Sequence, residues 1–404
     1  MATATTTLEA MPPAAAETAS AGERLHALDS LRATAMLLGI VLHAAASLAL
    51  VPFPWPIRDV SANAGFDALL GFIHGFRMQV FFFLAGFFAH LVWRRLGTRG
   101  FLRQRGQRIG IPLVAGMLIL IPVMGLLWRW GDSLSGSTFS AEQERNLSLL
   151  SYPTAHLWFL EMLLILYLLA MALARLWNVP RALNLLPRID AGFDWLMRQR
   201  LKPLMLAVPT AALLWLGPRI PELDEAGMRL IPRVQAMAYY GLFFAVGWWL
   251  HRRSHLVDVL RGWLVPYFLV ALVAFFVLGG SLQAAAMPGA ARHWTAIKLT
   301  AVTAMALYAW CMTFAVTGLF LQFASGHRPW VRYLADASYW WYLLHLPIVM
   351  ALQIWIHDWH LNGMLKLLLM LAVTSAILWP SYHWLVRYTW VGRLLNGPRS
   401  RGGH

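Results

Sequence analysis

Long apolar runs constrain this sequence more than any other feature. A helix of about 18 or more apolar residues is long enough to cross the hydrocarbon of a bilayer. Ten apolar segments can be marked off, at approximately 31–51, 68–92, 109–130, 156–176, 203–217, 235–250, 263–280, 296–323, 338–356 and 364–386. The fifth is the shortest and carries Pro203 and Pro209, and the eighth is long enough to tilt. Inside lipid no water is at hand to bond backbone N–H and C=O groups, so runs of this length are helices that satisfy their own backbone. The expected fold is all-α, a polytopic membrane helical bundle of about ten transmembrane helices. The chain is 59% hydrophobic and only 13% charged, about half the charge of an ordinary soluble domain.

The formal net charge of +15 would suggest a nucleic-acid partner in a soluble protein. Here the basic residues gather in alternate loops. With the N-terminus inside, two thirds of the 33 Lys and Arg residues fall on the inner side, among them Arg94, Arg95, Arg99, Arg252, Arg253 and Arg387. Cytoplasmic loops of membrane proteins are basic in this way, which puts both termini in the cytoplasm and favours an even number of spans. No nucleic-acid partner is expected; the expected surroundings are membrane lipid. Trp93, Trp128, Trp263 and Trp294 sit near predicted helix ends and read as an interfacial belt. The single cysteine, Cys311, excludes an intramolecular disulfide and a thiolate metal site. Residues 1–23 are rich in Ala and Thr, with no basic residue and no apolar core. They read as a disordered cytoplasmic tail rather than a signal peptide. Residues 24–392 form the transmembrane domain and 393–404 a cytoplasmic C-terminal tail. The absence of an obvious internal repeat weighs against a secondary transporter.

Ionisable residues within such segments are costly and mark candidate sites. In the first segment, Asp29 and Arg32 are three residues apart and can pair near the inner face. Arg32 and His43 are eleven residues apart, close to three helical turns, so they share a face with a separation of roughly 16 Å. That wall suits a channel for an elongated molecule with an anionic head. It equally suits a buried histidine bonded to a neighbouring helix, and the residues alone leave both open. Arg105 and Arg108, just before Pro112, are also three apart and can fork onto phosphate oxygens, or simply belong to a basic inner loop. Toward the outer side stand His74 and Arg77 at the start of the second segment, and His156 with Glu161 at the start of the fourth. His345 precedes Pro347 in the ninth; it either lines the same cavity or satisfies backbone freed by the proline. There is no zinc-type His/Glu constellation, no phosphate-binding glycine loop and no nucleophile elbow, so no metal is expected.

On these residues the chain resembles the acyltransferase family 3 membrane proteins. The family signatures are a basic residue and a histidine eleven positions on, matched by Arg32 and His43, and two arginines three apart, matched by Arg105 and Arg108. The stretches Leu28–Ala33, His74–Phe83, Arg108–Pro112, His156–Leu160 and Tyr333–Pro347 resemble a subgroup that succinylates periplasmic glucans. Ala85 departs from it, standing where the family usually has Ser before Gly86.

The resemblance implies a multi-pass protein of the bacterial inner membrane that moves an acyl group from acyl-CoA to an extracytoplasmic carbohydrate. Acyl-CoA, as succinyl-CoA or acetyl-CoA, is a cosubstrate and no cofactor is bound permanently. Periplasmic glucan, or another polysaccharide, is the acceptor. His43 is implied as catalytic, with Arg32 and Asp29 supporting it. Arg105 and Arg108 would hold the donor, while His74, Arg77, His156, Glu161 and His345 would meet the substrate. The competing expectations are an acetyl-CoA-dependent enzyme acting on another surface polysaccharide, and a sugar or acyl-carrier transporter. The oligomeric state is not legible in the sequence.

Overall fold

The structure is a computed structural model. It describes residues 13–51, 53–136, 153–176, 184–217, 230–326 and 328–397, with side chains from Leu25 onward. Among the described residues there is no strand. Each of the ten expected segments is a helix. The helices are α1 (Pro13–Ala45), α2 (Ala64–Arg105), α3 (Ile111–Ser135), α4 (Trp158–Leu176), α5 (Leu186–Arg198), α6 (Lys202–Trp215), α7 (Val234–Arg252), α8 (Leu264–Ala286), α9 (Trp294–Phe323), α10 (Pro329–Ile356), α11 (Gly363–Ser381) and α12 (Trp390–Asn396).

The protein is an all-α polytopic membrane bundle. Seven of its stretches are long and apolar enough to cross a membrane, by length and composition. One of them, Ala64–Ser135, holds two of the expected segments, and Lys202–Trp215 is a shorter apolar helix. The helix Val234–Arg252 accounts for the tenth. α1 starts at Pro13, so its backbone is helical across 13–23, part of the segment expected to be a disordered tail. The reason is the Ala-rich composition there, which favours helix. Residues 1–12 and 398–404, the ends of the two expected tails, lie outside the described residues.

α2 kinks at Gly97, where φ is 64°, a left-handed conformation that glycine adopts without steric cost. A π-helical turn at Gly106–Gly110 then leads into α3. α2 begins beside the loop 49–63, and Gly131 near the far end of α3 packs on the Pro56 carbonyl of that same loop. The α2–α3 pair is therefore a hairpin whose turn carries Arg105 and Arg108.

α9 runs through the centre of the bundle, and its Tyr308, Trp310 and Phe314 are fully buried. Phe243 of α7 stacks on Trp310, and the Trp310 indole donates to Thr210 of α6 at 2.8 Å. By contrast Leu118, Val265 and Phe276 point outward, where only lipid can cover them. Helices in lipid gain little from hydrophobic burial against each other, so close packing through small residues matters more. α2 and α7 meet this way. A Cβ on Gly86 would strike the Phe244 carbonyl, and one on Gly247 would strike the Phe83 carbonyl.

Two ion-pair sets anchor the ends of the bundle. Lys366 donates to Asp59 at 2.7 Å, both side chains being buried, and this ties the loop 49–63 to α11. On the opposite side, Arg252 grips Asp190 through two 2.9 Å bonds, and Arg253 grips Asp194 in the same bidentate manner. These pin the amphipathic α5 against the end of α7. Burial pushes the Asp190 carboxyl up, but hydrogen bonds from Arg252 and Trp249 and the charges of Arg252 and Arg253 outweigh it and hold it below the ordinary range. Hydrogen bonds from Arg253 hold Asp194 low as well.

A Gly86→Ala change should destabilise the detergent-solubilised protein by about 1–3 kcal/mol through overpacking. Gly125→Ala on α3, where a Cβ meets nothing within 4 Å, should be neutral or stabilising. Equal melting temperatures for the two variants would contradict the close α2–α7 packing. A carboxyl held low in the folded state contributes stability above its unfolded pKa, and that contribution is lost as pH falls through the folded value. A spin label on Gly192→Cys in α5 should therefore be immobile at neutral pH and become mobile below the usual carboxylate pKa of about 4. In an Arg253→Ala background it should already be mobile at pH 7, and a label that stays rigid there would show that the bridges do not hold α5.

Candidate active site

α1 ends at Ala45, and the last carbonyls of any helix lack intrahelical donors. In a membrane protein they must find partners inside the fold. Gln353 of α10 supplies them, its amide donating to the carbonyls of His43 at 2.8 Å and Ala44 at 3.1 Å. Its carbonyl oxygen accepts from the Trp55 indole at 2.9 Å. Trp55 is thereby held parallel to the His43 ring, with centroids 6.2 Å apart and planes 8° apart. His43 thus sits in the last turn of α1 with its backbone fixed by one helix and one ring face screened by the loop 49–63.

The facing wall is shaped by Pro347. A proline inside a helix removes a donor and disengages the carbonyl four residues before it. That carbonyl is Leu343, and it accepts instead from His156 Nε2 at 3.1 Å. Tyr342 in turn donates to the His156 carbonyl at 2.6 Å. Just before His156, Ala155 holds φ 43°, a left-handed conformation that costs a non-glycine residue roughly 1–3 kcal/mol. This strained corner turns His156 toward α10.

The hydrogen bonds assign the protons on neutral imidazoles. His345 Nδ1 lies 2.8 Å from the Tyr342 carbonyl and 3.0 Å from the Trp341 carbonyl. Carbonyls only accept, so His345 Nδ1 carries the proton and its Nε2 is an acceptor. His43 Nδ1 lies 2.8 Å from that Nε2, so His43 must be the donor. The proton of His43 is therefore on Nδ1, and Nε2 keeps its lone pair. His156 donates from Nε2, which leaves its buried Nδ1 as a second lone pair without a partner among the described residues.

His43, Arg77, His156, Tyr342 and His345 line one cavity of about 40 Å³ together with Met36, Met78 and Phe81. It has room for a few water molecules. Two methionines in its wall are flexible enough to make way for something larger. Gly39, one turn from His43, lets the Arg77 guanidinium lie against α1; a Cβ there would collide with it. The structure thus brings Arg77, His156 and His345 to His43. His74 stands one turn from Arg77 on α2, near enough for its charge to reach His43. Glu161 is buried on α4 with one carboxylate oxygen unpartnered among the described residues, and it is not part of the cavity wall.

Arg32 and Asp29 pair at 3.1 Å, away from the cavity and near the turn of the α2–α3 hairpin. There Arg32 lies over Phe88 at 5.4 Å, and Arg105 lies between the rings of Phe101 and Tyr167 at 5.2 and 5.1 Å. Arg105 and Arg32 are close enough to Arg108 to repel its charge. Tyr339 donates to the Arg108 carbonyl at 2.8 Å, so α10 holds the turn that presents it. Neither Arg105 nor Arg108 has a carboxylate partner among the described residues. Because α1 is continuous from Arg32 to His43, the helical rise separates the cluster from the cavity by roughly 16 Å.

Three residues of this arrangement escape a reading by motif: Trp55, Gln353 and Tyr342 as a hydrogen-bond donor. Gln353 carried a signal, being an uncharged polar residue within an apolar helix. Trp55 carried none, since nothing local separates it from the other loop and interfacial tryptophans. Among the described residues no group of three or more His, Cys, Asp or Glu side chains forms a metal site.

Residues 25–383 match the family model described as "Acyltransferase domain". Proteins named "Glucans biosynthesis protein C" from Salmonella paratyphi B, Salmonella heidelberg and Salmonella enteritidis are each 34% identical to the chain over 145 residues. The match covers 35% of this chain and 37% of each relative. No solved structure matches the chain.

The tautomer chain can be checked directly. In protein labelled with 15N-histidine, His43 should show a protonated Nδ1 and an unprotonated Nε2, and His345→Phe should produce a tautomer mixture at His43. A proton found on His43 Nε2 in the unaltered protein would refute the assignment.

Proposed function

The chain belongs to the acyltransferase domain family, and from that premise we propose that it moves an acyl group from cytoplasmic acyl-CoA to hydroxyls of a periplasmic glucan. The observation that carries this reading is the unprotonated His43 Nε2 at an interior cavity, roughly 16 Å along one helix from three clustered arginines. The arginines suit the phosphates of the donor's nucleotide, since guanidinium forks match phosphate oxygens. Asp29 steadies Arg32 among them. A thin pantetheine arm would then lie along α1 with its thioester at His43. The glucan acceptor is supported by the names of the relatives, and succinyl is the acyl group implied by the subgroup resemblance. The basic inner loops support an inner-membrane orientation with both termini in the cytoplasm. An acceptor arriving from the other side would meet the cavity at His156, which lines it, with His74 one turn from Arg77 on α2.

The chemistry is a direct acyl transfer. His43 Nε2 takes the proton of an acceptor hydroxyl as its oxygen attacks the thioester carbonyl. The new positive charge on His43 is steadied by His345 Nε2, which accepts from Nδ1. The carbon–sulfur bond breaks, the thiolate of CoA departs, and the proton on His43 passes to it. The products are an O-acyl sugar and free CoA.

The test is purified protein with succinyl-CoA, acetyl-CoA and extracted periplasmic glucan, following CoA release and glucan mass. His43→Ala should lower transfer about 10²–10⁴-fold with no change in melting temperature beyond that of a cavity variant. Arg105→Ala should raise the KM for acyl-CoA about tenfold or more, the worth of a hydrogen bond to a charged group. Transfer in His43→Ala within about tenfold of the unaltered protein, well short of the loss of a general base, would sink the mechanism. Release of no CoA with any donor would end the acyl-CoA reading.

A further inference from the structure

Arg77 is a charged feature of the cavity that the transfer chemistry above leaves unused. It sits on α2 in the interior of the bundle, and no hydrogen bond or ion pair to it is formed by any described residue. Its neighbours are the hydroxyls of Tyr342 and Tyr240 and the imidazoles of His43 and His345. Phenols are uncharged at neutral pH, so none of these is an anion. A guanidinium within a membrane protein is costly unless it is paired or faces a cavity that receives its partner. Gly39 stands opposite it, and a side chain there would displace the guanidinium. A glycine inside a helix costs about 0.5–1 kcal/mol relative to alanine. Room for this cation is therefore built at some expense in stability.

Gly39 and His43 are four residues apart on the same face of α1, which is about 6 Å along the axis. Gly39 is on the Arg32 side of His43, so an acyl chain whose thioester carbonyl is at His43 Nε2 reaches Arg77 by turning back alongside the donor arm. In a four-carbon dicarboxylic acyl group the two carboxyl carbons are about 4 Å apart when extended, from carbon–carbon bonds of about 1.5 Å. Adding a charge-assisted hydrogen bond of about 2.8 Å bridges the gap. Acetyl has nothing to offer there.

Resting on the acyl-CoA reading, we propose that Arg77 is the specificity-determining residue for the acyl group, binding a terminal carboxylate and selecting short dicarboxylic acyl donors over neutral ones. The planar guanidinium takes the carboxylate by paired N–H···O bonds. Gly39 keeps the guanidinium at the depth that this length of chain requires.

The test compares binding of succinyl-CoA and butyryl-CoA to the full-length protein in detergent, without acceptor. The two donors differ only in a carboxylate replacing a methyl group. The unaltered protein should bind succinyl-CoA at least about tenfold more tightly, the worth of a charged hydrogen bond. Arg77→Gln should bring the two dissociation constants to within about threefold of each other. Gly39→Ala, which retains the charge but displaces it, should reduce the preference as well, and Arg77→Lys should keep part of it. Equal binding of the two thioesters by the unaltered protein would overturn the assignment while leaving the acyl-CoA reading standing. So would an unchanged preference in Arg77→Gln. A protein that binds neither thioester would remove the acyl-CoA reading and this assignment with it. If Arg77→Gln does not fold, the Gly39→Ala result decides.

Discussion

Inside a bilayer a carbonyl that loses its helical donor must find another, because no water is there to replace it. Three such carbonyls occur at two places at the heart of this protein, and the sequence creates both places. α1 stops at Ala45, and Pro347 interrupts the hydrogen-bond ladder of α10. The side chains that repair these breaks are the ones that build the site. Gln353 takes the end of α1, and His156 takes the carbonyl that Pro347 releases. The residues next to them, Trp55 and Tyr342, are held in place by the same bonds. A continuous pair of helices would have had no need of these side chains and no reason for a polar cavity between them.

The same backbone fixes the chemistry of the histidines. The carbonyls of Trp341 and Tyr342 take the Nδ1 proton of His345, so His345 must accept from His43. Proton placement is passed from the backbone of α10 through one imidazole to the next. It ends at a lone pair on His43 that faces the cavity. His345 does not need to touch a substrate to matter, since it determines which nitrogen of His43 is basic. Placed away from them on the same helix, Arg32 and its neighbours Arg105 and Arg108 form a concentration of positive charge with Asp29 as its ion-paired carboxylate. One helix thus connects the arginine cluster with the histidine-lined cavity.

Much of this was legible beforehand. The apolar runs at 68–92, 296–323 and 338–356 correspond to α2, α9 and α10, because length and hydropathy alone specify a spanning helix. The spacing of Arg32 and His43 placed them on one helix face, and the continuous α1 keeps that geometry. Arg32, expected near the inner face and roughly 16 Å from His43, lies beside Arg108 with Asp29 as its ion-pair partner. For His345 the sequence left two roles open, lining the cavity or satisfying freed backbone. It does line the cavity and it bonds to backbone, while the carbonyl that Pro347 releases goes to His156. That exchange depends on how α4 and α10 pack, and local spacing contains no information about it.

The sequence by itself determined that this chain is a helical membrane bundle, which helices carry its ionisable residues, and the family to which it belongs. Those properties follow from composition, periodicity and short motifs, all of which are local. The tertiary structure alone decided which of those residues meet. His43 and His345 are 302 positions apart and share one hydrogen bond. Arg77 comes to rest against Gly39 with no anion beside it among the described residues. Whether a buried charge is paired, and which nitrogen of an imidazole keeps its proton, depends on neighbours brought by other helices, and no pattern along one helix can specify them.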